Sequence, residues 1–157
     1  MGKLANIPRF DKQFWREVGN EITDEIRVQT QKKGKDVFNK NFKSYSRGYA
    51  ERKPRIRRGS GGNKVNLTLT GDMMNGLQVR GFTTDSVTIG WSGVNAQKVQ
   101  WNEDMSRAVT TASKPLSNKS IKIVQQETRQ RIKRNADKET AKKANHCAPA
   151  KASTRVA

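Results

Sequence analysis

A chain of 157 residues is the length of one domain, or of one domain with a tail. Only 32% of its residues are hydrophobic, against the roughly 45–50% of a compact globular protein, so a large core is excluded and partners have surface to cover. The 32 Lys and Arg outnumber 14 Asp and Glu for a net charge of +18, a field that suits phosphate backbones or acidic proteins, while no apolar run reaches the roughly eighteen residues of a spanning helix.

The charge is uneven. Met1 to Thr30 carries five basic and five acidic residues, Glu51 to Lys64 six and one, and Lys119 to Lys143 nine and three. In the neutral stretch Phe14, Val18, Ile22 and Ile26 recur every fourth residue, one stripe of an amphipathic helix that Gly34 can end. Phe38, Phe42, Tyr45 and Tyr49 follow at spacings of three or four, which predicts a short irregular helix burying aromatics on the core.

Arg52 to Lys64 has a proline, three glycines and a serine, and is predicted to be a basic loop that orders on a partner. The period then changes from about four to two. Val65, Leu67 and Leu69 alternate with polar residues, the pattern of a half-buried strand. Gly71 and Asp72 break it, with Asp72 as a cap for a short turn through Met73, Met74 and Leu77. Val79 and Phe82, then Val87, Ile89 and Trp91, flank a turn at Thr83–Ser86 and predict a β-hairpin. Ala96 to Met105 suits a short helix. Ser117 and Asn118 can cap a long one whose stripe is Ile121, Val124, Thr128, Ile132 and Ala136, ending near Ala144.

The order implies an α+β domain: a small antiparallel sheet packed against an N-terminal helix and a long C-terminal helix, with a basic loop before the first strand. One domain over 1–144 and a mobile tail over 145–157 are expected. The first strand and the hairpin are expected to form one sheet whose core takes in Ile121, Val124 and Ile132.

Catalytic and metal chemistry find little to stand on. Gly59 to Lys64 resembles a phosphate loop only superficially, because its spacing is short and a strand follows where a helix is needed. His146 and Cys147 have no further histidine or cysteine to complete a metal site. With one histidine, a nucleophile has no base of the usual kind, and the lone Cys147 allows no intrachain disulfide. No enzyme activity, metal or cofactor is expected. The candidate docking residues for a protein partner or DNA are the cations of the two basic tracts: Arg52, Lys53, Arg55, Arg57, Arg58 and Lys64, then Arg131, Lys133, Arg134, Lys138, Lys142 and Lys143.

Four segments carry a likeness. They are Asp36-Val37-Phe38 leading to Phe42-Lys43-Ser44-Tyr45-Ser46 and Tyr49-Ala50; Val65 to Met73 around Leu69-Thr70-Gly71; Val87 to Trp91 followed by Ala96 to Asn102; and Arg107 with Leu116-Ser117 leading into the last helix. In this order they resemble the phage tail-completion and virion-morphogenesis family, small neck or tail components related to minor tail protein Z. The chain departs from that pattern after Arg107, where Ala108 to Lys114 replaces an aromatic-rich segment. The resemblance implies a non-enzymatic structural protein of the virion, made and assembled in the host cytoplasm. It would act in tail completion or head–tail joining as a ring of subunits, among other neck and tail proteins, with non-specific contact to DNA in the channel. The alternative from another class is a sequence-neutral nucleic-acid-binding accessory protein, which the two basic tracts favour although no zinc spacing, basic zipper or RNA-recognition signature is present.

Overall fold

The structure, a computed structural model, describes residues 10–56, 65–67 and 71–146, with backbone alone for 54–56 and 143–146. The fold is α+β. Among the described residues five α-helices, α1 (Lys12–Arg27), α2 (Arg47–Ile56), α3 (Asp72–Asn75), α4 (Gly93–Asp104) and α5 (Asn118–His146), accompany an antiparallel pair, β1 (Gln78–Phe82) and β2 (Val87–Gly90). The chain divides into two compact units between Val124 and Gln125, so the first turns of α5 belong to one unit and the rest of the helix to the other.

α1 starts where Asp11 accepts a hydrogen bond from the Phe14 N–H at 2.7 Å, an N-cap. Its stripe of Phe14, Val18, Ile22 and Ile26 is buried against Met73, Met74 and Leu77 around α3, Val99 of α4 and Val109. The helix closes through a π turn at Val28–Lys32, and Gly34 reverses the chain at φ 66, a left-handed angle glycine adopts without penalty. β1 and β2 pair Val79 with Ile89 and Phe82 with Val87, with a bulge between Val79 and Gly81. The predicted turn at Thr83–Ser86 is made by the Thr83 hydroxyl accepting from the Asp85 and Ser86 N–H groups, both at 3.1 Å.

Gly19 sets how closely α1 lies on the hairpin. A Cβ there would stand 2.7 Å from a methyl of Val87 and 2.8 Å from one of Val79, and β-branched side chains swing little to make room. Alanine gains about 1 kcal/mol of helix propensity over glycine, but overpacking costs about 1–3 kcal/mol. Gly19→Ala is therefore expected to lower urea-unfolding stability by up to about 2 kcal/mol, and Gly19→Leu to abolish the fold.

Five expectations are corrected. Arg52 and Lys53 do not begin a loop, because α2 runs on to Ile56. Val65 to Leu67 is not a strand, and Leu67 takes a left-handed φ of 51 that breaks the alternation; Leu69 lies outside the described residues. Ile121 and Ile132 are not core residues but 41% and 42% exposed, and only Val124 of that stripe packs on the core. Phe38, expected inside, is 46% exposed. Asp72 is the first residue of α3, and Gly71 is its N-cap.

Candidate interaction site

Between α1 and α2 the chain is held without regular structure. The Asp36 carboxylate accepts from the Phe38 and Lys40 N–H groups at 2.9 and 2.7 Å, and Lys35 bridges Asn41. Val37 and Phe42 are buried, and the Val37 N–H reaches the Ala108 carbonyl at 3.0 Å. This brings the backbone at Lys43 and Ser44 to Arg107. Its guanidinium donates from Nε to the Lys43 carbonyl at 3.0 Å and from Nη2 to the Ser44 carbonyl at 3.1 Å. It also lies 4.9 Å from the centre of the Tyr45 ring, a cation–π contact.

Tyr45 meets Tyr49 edge to face at 4.8 Å. One helical turn beyond Tyr49, Lys53 brings its ammonium to 4.7 Å from the same Tyr45 ring. The Lys53 side chain is fully buried, and its Nζ donates to Asn66 Oδ1 at 2.7 Å. Burial pushes its pKa down. Burial, then the nearby Tyr49, pushes the Tyr45 phenol up, against the opposing N–H groups of Leu67 and Asn66 and the charge of Arg107. Those two N–H groups are turned to the phenol oxygen instead of a strand ladder. The segment after the basic tract is tied to α2 itself by the Lys53–Asn66 hydrogen bond.

Opposite these aromatics stand α3 and α4. The Trp91 indole donates to the Met73 carbonyl at 2.7 Å, and Asn102 Nδ2 contacts the Met73 sulfur at 3.6 Å. The space left is a cavity of about 630 Å³, lined by Tyr45, Ser46 and Tyr49, by Leu67, Gly71, Asp72 and Met73, and by Lys98, Asn102, Met105 and Arg107. Aromatic and thioether surface dominates it, with Lys98 and Arg107 as cations and Asp72 as the acid. Such a socket can hold an apolar side chain that carries or adjoins a carboxylate.

A second concavity gathers Lys33, Lys114, Lys119 and Lys122 about Glu25. Glu25 Oε2 accepts from Lys119 at 2.6 Å, which raises the Lys119 pKa, and its Oε1 lies 3.9 Å from Lys33. This pair fastens the first turn of α5, capped by the Ser117 hydroxyl, to α1.

The sequence candidates separate accordingly. Lys53 is corrected: it lies inside the protein and braces Asn66, so it is no surface docking residue. Arg52 is exposed on α2 and donates to the Gly48 carbonyl at 3.0 Å. Arg55 lies in α2 by its backbone, and Arg57, Arg58 and Lys64 fall outside the described residues. On α5, Lys133, Arg134, Lys138 and Lys142 are exposed and Arg131 is half-buried; for Lys143 only the backbone is described. Tyr45, Tyr49, Lys98 and Asn102 were missed as site residues, since spacing marks Tyr45 and Tyr49 only as candidates for burial.

Lys53 also gives the site a pH signature. Its folded pKa lies below the ordinary lysine value of 10.5, so between the two values the unfolded chain binds the extra proton and stability rises with pH. Lys53→Met keeps the apolar stem without the charge. The stability of Lys53→Met relative to wild type is expected to be greatest near neutrality and to fall as pH climbs toward 10.5. Lys119, whose raised pKa works in the opposite direction, cancels in that difference. Lys53→Ala loses the buried stem as well and is expected to cost about 2 kcal/mol. Thermal melts across pH read all three proteins.

Among the described residues no helix is long and apolar enough to cross a membrane, and no group of three or more His, Cys, Asp or Glu is placed to hold a metal. No protein-family model, no curated protein and no solved structure matches the chain.

Proposed function

We propose that this chain is a non-enzymatic structural protein of a phage virion, seated at the head–tail neck or upper tail and acting in tail completion or head–tail joining. The observation that supports this reading is the meeting of all four resembling segments at one cavity. Tyr45 and Tyr49 come from the first, Leu67, Gly71, Asp72 and Met73 from the second, Lys98 and Asn102 from the third, and Arg107 from the fourth. Residues spread over more than sixty positions share one surface, and Arg107 in its wall braces the Lys43 and Ser44 carbonyls. A braced socket suits holding a partner. In this reading the subunits form a ring among other neck and tail proteins, in a virion assembled in the host cytoplasm.

Interrupting the gene in its phage tests the proposal. Filled heads and separate tails should accumulate unjoined, and the wild-type gene supplied in trans should restore infectious particles. Joined particles at normal yield without the protein would overturn it.

The exposed cations of α5 favour a second reading, a sequence-neutral nucleic-acid-binding accessory protein. Its mark would be a steep fall of affinity with salt at every DNA sequence, from a protein that runs as a small species after nuclease and salt. A neck subunit would instead run as a large oligomer or with particles.

A further inference from the structure

α4 carries an apolar face that the described residues of its own unit leave largely exposed. Val94 is 64% exposed, Trp101 52% and Met105 49%. At 100° per residue these three and Lys98 fall within an arc of about 60°, while Val99 on the other side of the helix is buried in the core. Solitary exposed apolar residues are ordinary, but a Trp-centred stripe at helical spacing marks an interaction surface. The stripe is continuous with the Tyr45 cavity, because Lys98 and Met105 line both. Arg107 stands beside it, with Nη1 3.6 Å from the Met105 sulfur.

We infer that the α4 stripe and the Tyr45–Arg107 cavity form one groove that binds an acidic amphipathic segment of a different protein. Apolar side chains at helical spacing would cover Val94, Trp101 and Met105, one would enter the cavity, and carboxylates would meet Lys98 and Arg107. Charge selects this occupant. A second copy, itself +18, would tend to set cations against Lys98 and Arg107, and like charge opposes association at this face; in a ring the copies would meet through other surfaces. A phosphate backbone gains little from an apolar stripe with one lysine and has the exposed cations of α5 instead. Carboxylates on an apolar scaffold match what the groove presents.

The inference rests on reading the cavity as an assembly contact, yet its test needs only the purified full chain. The probes are three fluorescein-labelled 16-residue peptides with Leu and Phe at the same helical positions and Glu, Gln or Lys elsewhere, plus a labelled 16-nucleotide DNA. The acidic peptide should bind at least tenfold tighter than the basic one. Trp101→Ala should weaken it by at least tenfold, and Val94→Ser severalfold. Lys98→Glu should reverse the preference between acidic and basic peptides. The three side chains are partly or largely exposed, so melting temperatures should stay near wild type.

Acidic-peptide binding that these substitutions leave unchanged would overturn the inference, as would equal affinity for all three peptides. So would DNA binding that depends on Trp101, or wild-type self-association that Trp101→Ala abolishes. Failure here leaves a virion location untouched, and absence from the virion leaves peptide binding untouched, so the two readings fail separately.

Discussion

Ile22→Asp is expected to leave the unit before Gln125 unfolded. Ile22 is 1% exposed and sits mid-stripe on α1, within the cluster of Met73, Met74, Leu77, Val99 and Val109. A carboxylate there would be buried without a partner. That penalty of several kcal/mol is comparable to the roughly 5–15 kcal/mol of an entire domain's stability. Circular dichroism should show near-UV signal lost and helical signal sharply reduced. Ile22→Ala, which only opens a cavity, should cost about 2–5 kcal/mol and stay folded at low temperature. Ile132 supplies the contrast. It is as apolar but 42% exposed, so Ile132→Asp should shift stability by no more than about 0.5 kcal/mol. Equal damage at both positions would contradict the placement of the core on α1.

The second large effect falls on Arg107. Its removal releases the carbonyls of Lys43 and Ser44 and one cation from the Tyr45 ring. Hydrogen bonds from a charged donor are worth about 1.5–3 kcal/mol each and an exposed cation–π contact about 0.5–1 kcal/mol. Part of this is recovered by water at the exposed carbonyls. Arg107→Ala should therefore cost about 2–4 kcal/mol and speed amide exchange over residues 43–50. Arg107→Lys keeps the charge but lacks the planar fork, so it should recover half or less of the loss. Unchanged exchange over 43–50 in Arg107→Ala would mean that the aromatic wall stands without its brace.

Where local pattern and tertiary environment agree, the sequence was readable. The stripe Phe14, Val18, Ile22, Ile26 is the buried face of α1, the hairpin falls at the predicted turn, and Ser117 caps α5. Periodicity identifies a face but not what covers it. The stripe of α5 is real as a repeat, yet among its residues only Val124 meets the core. The alternation of Val65 and Leu67 resembled a strand because nothing local announces that the Asn66 and Leu67 N–H groups face the Tyr45 phenol. Lys53 was misread for a related reason. In a run of cations around Pro54 it has the composition of a solvated loop, and Tyr45 and Asn66, brought in by the fold, help make burial tolerable there. Arg107 and Tyr45 lie 62 positions apart. No spacing rule joins them, although the resemblance had singled out both.

Electron cryomicroscopy of intact virions is the most direct measurement of the central claim, that this chain is a structural component at the junction of head and tail. The account predicts repeated copies at the neck or upper tail, each with the groove of Tyr45, Trp101 and Arg107 against a neighbouring protein. Neck and tail density wholly accounted for by other chains, in particles from which this protein is missing, would contradict it.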